Sequence, residues 1–161
     1  LVLNDVGPVI TAESLRRIGR YVGTAPRFPS FAAAVAYMRG ISAPFGLLSE
    51  AQWQSLTEHC VRQDVDGQWV MTYDPAIGAS FRTPLAAVDV DLWGFYDALR
   101  LPVLAIRGAE SDLLTPEIHQ AMAARGPQAR LAEVPGVGHA PMFTDAGQIR
   151  LITDFLLREA Q

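Results

Sequence analysis

Residues 101–112 read Leu-Pro-Val-Leu-Ala-Ile-Arg-Gly-Ala-Glu-Ser-Asp, and residues 129–139 read Ala-Arg-Leu-Ala-Glu-Val-Pro-Gly-Val-Gly-His. Each is a short apolar run that opens onto glycine and an ionisable side chain, the pattern of a buried strand emptying into a loop. Between them Thr115 is placed to cap a helix that has Pro116 at its first position and Gly126 beyond its end. A last helix, from about Asp145 to Arg158, carries Ile149, Ile152 and Leu156 on its expected inner face. Strand, helix, strand, helix predicts parallel strands joined by crossovers, hence an α/β fold. In such sheets reacting groups lie just past the carboxyl ends of the strands, and Asp112 and His139 occupy those positions.

Upstream, Leu1-Val2-Leu3 reads as a strand already under way and Asn4-Asp5-Val6-Gly7-Pro8 as the breakers that end it. The expectation is that the chain is cut from a longer polypeptide. Residues 11–62 predict three short helices. Thr11 caps the first, which carries Leu15, Ile18 and Val22 and ends at Gly23. Ser30 opens the second, with Phe31, Ala34, Val35 and Met38 on one stripe and Gly40 as terminator. Ser49 and Gln52 form a capping-box spacing for the third, along which Trp53, Leu56 and Cys60 line up. Asp66-Gly67 between two short apolar segments predicts a tight hairpin, and Val90 to Leu99 a helix leading back to the main body. Three regions follow: 1–8 as the end of a core strand, 9–99 as a mostly helical insertion with the hairpin, and 100–161 as α/β core.

The 161 residues are 50% hydrophobic and 19% charged, which is ordinary globular composition. Against 17 acidic residues stand 13 basic ones, all arginine, so the net charge is −4, and no basic stripe exists to meet a phosphate backbone. Nucleic acid is not an expected partner, nor is a membrane, because no apolar run approaches the length of a spanning helix. Cys60 is the one cysteine, which excludes an intrachain disulfide or a cysteine zinc cluster and makes a cytoplasmic location the expectation.

An imidazole and a carboxylate on neighbouring strand-end loops can form the orienting pair of a nucleophilic triad. His139 is the expected base and Asp112 the expected acid, with Asp5, which also follows a strand end, as the alternative acid. His59 and His119 lie in helices without partner motifs and read as surface or boundary residues, and Cys60 as a buried thiol. Met142 and Phe143, just after the histidine loop, and Trp93 and Trp53 are candidates for a substrate pocket.

These stretches, together with Leu-Val-Leu-Asn-Asp-Val-Gly-Pro at 1–8, resemble the C-terminal half of an α/β-hydrolase. The resemblance implies about three parallel strands of that sheet, an inserted helical cap at 9–99, and an acid and a histidine that follow the nucleophile in chain order. The family's Gly-x-Ser-x-Gly elbow is absent, since Gly78-Ala79-Ser80 is followed by Phe81-Arg82. The expectation is therefore an esterase-like hydrolase of an ester, lactone or related acyl bond on a small-molecule substrate, with no cofactor or metal. Its serine would come from an N-terminal half outside this chain, which makes that half a partner and leaves these residues inactive alone. The resemblance leaves open a dehalogenase or epoxide hydrolase with an aspartate nucleophile, and a non-catalytic ligand-binding member of the fold. The free side of Leu1-Val2-Leu3 predicts self-association of the isolated chain.

Overall fold

The computed structural model describes residues 1–82 and 88–159. Two compact units result: Leu1–Ser14, Pro44–Leu47 and Asp89–Gln161 form the first, Leu15–Ala43 and Leu48–Val88 the second. The segment 83–87 of the expected insertion lies outside the described residues.

The first unit is built on a parallel sheet in the order β1 (Val2–Asn4), β7 (Leu104–Gly108), β8 (Arg130–Val134). Val2 stands opposite Leu104, and Leu104 opposite Arg130. This is the expected set of three adjacent parallel strands. The central strand β7 is buried along its whole length, as a strand covered on both faces must be. Its period of two divides it between two cores. Ala105 joins Tyr96, Val103, Leu114 and Met122 on one face, while Leu104 and Ile106 join Val134, Val137 and Phe155 on the other.

Local signals set the helices of this unit. In α5 (Pro116–Ala124) the Thr115 hydroxyl accepts from the amide of Ile118 at 3.3 Å, as its sequence position predicts. In α6 (Ala146–Glu159) the Asp145 carboxylate accepts from the amides of Gly147 and Gln148 and fixes the start. From there Leu151, Ile152 and Phe155 turn inward, whereas Ile149 and Leu156 are about half exposed. The expected inner face is thus corrected: Ile152 stays, and Leu151 and Phe155 take the places expected for Ile149 and Leu156. Two apolar stripes compete on this helix, and burying the bulky Phe155 removes the most apolar surface.

Two short strands, β2 (Val9–Ile10) and β6 (Val90–Asp91), pair antiparallel. The expected helix over 90–99 therefore begins later, as α4 (Trp93–Asp97), where the Asp91 carboxylate accepts from the Trp93 amide. Residues 9–14, 44–47 and 89–99 of the expected insertion belong to the first unit.

The helix α1 (Ala12–Ile18) stops before Val22, and turns follow it. In the second unit β3 (Arg27–Phe28) precedes α2 (Phe31–Ile41), which Ser30 caps through the Ala33 amide. α2 passes through Gly40, the expected terminator, and ends where the Ser42 amide donates to the Met38 carbonyl. α3 (Glu50–Cys60) has the full reciprocal capping box of Ser49 and Gln52. The hairpin of β4 (Val61–Gln63) and β5 (Trp69–Met71) is present, but its connection runs from Asp64 to Gln68 instead of closing on Asp66-Gly67 alone. The Asp64 carboxylate accepts from the amides of Asp66 and Gln68, and Gly67 takes φ +76° in the turn. β3 adds a third strand beside β5, over a core of Phe28, Ala34 and Val61. Among the described residues no helix is long and apolar enough to cross a membrane.

Candidate active site

Asp5 follows β1 directly, and its φ of +53° belongs to the left-handed region that aspartate tolerates better than most residues. Its amide donates to the Ile106 carbonyl at 2.7 Å, so the turn keeps contact with β7 while the side chain swings inward. The carboxylate is completely buried. A buried carboxylate needs donors on both oxygens. Oδ1 accepts from the Gly108 amide at 2.8 Å, and Oδ2 accepts from the Ser111 hydroxyl at 2.6 Å and meets His139 Nδ1 at 2.9 Å. An ionised carboxylate can only accept, so Nδ1 carries the hydrogen, and in the neutral ring the lone pair is then on Nε2. The imidazole is about a quarter exposed. The arrangement is an oriented base: one nitrogen is tied to a buried charge, and the other is open to a proton.

The loop bearing His139 is held by backbone. Ala109 and Glu110 donate to the carbonyls of Val134 and Val137 at 2.9 Å each, and Gly138 donates to Pro44 at 2.7 Å. A Cβ on Gly108 would stand 2.2 Å from the Gly138 carbonyl oxygen, so the loops after β7 and β8 touch main chain to main chain. Asn4, beside the acid, donates from Nδ2 to the Pro141 carbonyl at 3.0 Å and ties β1 to the segment after the histidine.

The carboxylate at His139 is therefore that of Asp5, and the first expectation, Asp112, is corrected to its alternative. The reason is directional. Ser111 turns inward to Asp5, and its neighbour Asp112 is exposed, with its carbonyl accepting from the Ser14 hydroxyl at 3.0 Å. β1 and β7 are adjacent, so the loop after β1 reaches the amide of Gly108.

Phe143 packs against the cluster of Leu104, Ile106 and Phe155, and Met142 is half-buried beside it. Trp93 is occupied in the other core, edge-on to Tyr96 and with the Arg125 guanidinium 4.0 Å from its ring centre. Trp53 is buried within the second unit, with Arg39 over its ring. His119 is buried, its Nε2 3.0 Å from the Ala105 carbonyl, which corrects the surface reading; His59 bonds the Ser55 carbonyl on its own helix. Partial burial pushes the Cys60 thiol up. Among the described residues no group of three or more His, Cys, Asp or Glu side chains is arranged to hold a metal ion.

Sequence reasoning missed Ser111, Asn4 and the Gly108 amide. The only signal for them was position, since each adjoins a strand end.

No family model matches the chain. A 3-hydroxybutyrate-oligomer hydrolase of Cupriavidus necator is 43% identical in an alignment 162 positions long that covers 96% of this chain and 55% of that protein. A crystal structure of a Rickettsia typhi protein assigned as a hydrolase superposes with a TM-score of 0.87 at 31% identity, over 98% of this chain and 53% of its own. An α/β hydrolase from Novosphingobium aromaticivorans gives 0.84 at 33% identity, over 98% and 56%. The chain spans about half the length of these relatives. The likeness follows the backbone through nearly every residue of this chain, and the chain has the fold of about half of an α/β hydrolase.

Proposed function

We propose that these residues supply the acid and the base of a hydrolase that cleaves ester bonds through a Ser-His-Asp triad. The observation that carries the reading is the 2.9 Å contact between His139 Nδ1 and the fully buried Asp5 carboxylate. A serine from a part of the family fold outside these 161 residues attacks the carbonyl. His139 Nε2 accepts its proton and then delivers it to the departing alcohol, and Asp5 stabilises the imidazolium in between. Water repeats the cycle on the acyl-enzyme. The 43% identical relative is named for a 3-hydroxybutyrate oligomer, a chain of ester-linked hydroxyacids, and the substrate class proposed here is the same.

The test is hydrolysis of the linear 3-hydroxybutyrate dimer and of p-nitrophenyl butyrate by the complete protein. His139→Ala is expected to lower kcat on both by at least about 1,000-fold. Activity that survives His139→Ala would end the reading. Turnover of the aryl ester with none of the dimer would retain the triad and remove the oligomer substrate.

A further inference from the structure

We propose that Ser111 is a positioning residue of this site, one that fixes the Asp5 carboxylate against His139 and shares its charge. The inference rests on the triad reading above. Its observation is separate: a buried hydroxyl donates at 2.6 Å to Oδ2, the same oxygen that meets the imidazole, while Oδ1 is occupied by the Gly108 amide.

A carboxylate held by one donor and one histidine can still rotate about its last torsion, which is broad for aspartate. A third donor, on the oxygen that also meets the imidazole, narrows that freedom. Ser111 is itself fixed, because its oxygen accepts from the amides of Leu113 and Leu114 at 3.1 Å each. With both lone pairs taken by those amides, its one hydrogen goes to Asp5.

The loop is stapled from below by Arg107, buried at the end of β7. Its Nε donates to the Leu114 carbonyl at 2.7 Å, its Nη2 to the Ser111 carbonyl at 3.4 Å, and its Nη1 pairs with Glu133 at 2.7 Å. The loop after β7 thus gives the site a hydroxyl where the sequence offered a second acid. Charged and titratable groups bonded directly to this assembly include Asp5, His139, Arg107 and Glu133.

Sharing has a chemical consequence. A hydrogen bond to the charged carboxylate draws density from Oδ2, so the imidazolium is held less tightly than by an unshared oxygen. Removing the hydroxyl lets Asp5 hold the imidazolium harder and less accurately.

The experiment is kinetic, on the complete protein with p-nitrophenyl butyrate, comparing wild type, Ser111→Ala, Ser111→Thr and Ser111→Cys. Ser111→Ala is expected to lower kcat about tenfold at nearly constant KM, and to move the acid limb of kcat/KM upward by about half a pH unit. Ser111→Thr, which keeps the hydroxyl, is expected to return the limb to its wild-type position. Circular dichroism melting checks that each variant is folded. Should Ser111→Ala unfold through its orphaned amides, the near-isosteric Ser111→Cys, a weak donor, is read on the same limb with the same expected direction. A folded variant lacking the hydroxyl whose acid limb does not move overturns the inference, as does loss of kcat that threonine does not restore. Loss of the wild-type sensitivity to His139→Ala would instead remove the triad reading beneath it.

Discussion

The loops after β1 and after β7 each offer an aspartate at the carboxyl end of a parallel strand, and the fold treats the two oppositely. Asp5 sits at φ +53°, buries its carboxylate completely and gathers an amide, a hydroxyl and an imidazole around it. Asp112 is exposed, and the inward side chain of its loop is Ser111. Both loops therefore serve one carboxylate. The acid of such a site is selected by which loop turns its side chain toward the neighbouring strand's amide.

The largest expected effect separates the two aspartates directly. Asp5→Asn puts an amide against Nδ1, which lets the imidazole settle with its hydrogen on Nε2, where it cannot take a proton. A fall in kcat of about 10,000-fold is expected on p-nitrophenyl butyrate. Asp112→Asn is expected to change it by less than about threefold, and an equal loss for both variants would dissolve the contrast. Next comes the support of the loop. Arg107→Ala strips the bonds to two carbonyls and is expected to destabilise the protein by about 2–4 kcal/mol in urea unfolding. If stability holds while kcat falls, Arg107 acts on the site without bracing the loop. The smallest effect lies away from both loops: Ser49→Ala removes one half of the α3 capping box and should cost about 1 kcal/mol, with kcat unchanged.

What was legible in the sequence was mostly local. Thr115-Pro116 and Ser49 with Gln52 announce their helices because the groups that satisfy the first turn lie within three residues. β7 read correctly because a strand buried on both faces is a mostly apolar run, and β8, whose Arg130 and Glu133 are exposed, because Pro135-Gly136 closes the short segment that ends in the buried Val134. His139 was legible through its glycine-flanked loop. The acid was not settled by sequence, because two aspartates stand past strand ends and the outcome depends on the adjacency of β1 and β7, some hundred residues apart in sequence. The inner face of α6 failed for a related reason: Ile149, Ile152 and Leu156 fit a helical stripe as well as Leu151, Ile152 and Phe155 do, and only the core chooses. β3, two residues long, has no period to detect; its existence depends on the β4–β5 hairpin beside it.

The main-chain contact at Gly108 sets limits on how this site can change over generations. A saturation library at that codon is expected to return glycine alone among active clones, because even alanine's methyl would overlap the Gly138 carbonyl oxygen at 2.2 Å. The amide that binds Asp5 and the loop that carries His139 are thus spaced by atomic radii and not by any side chain that drift could trim or enlarge. Substitutions can change the side chains around the pair, while the main-chain contact at Gly108 holds the interval between Asp5 and His139.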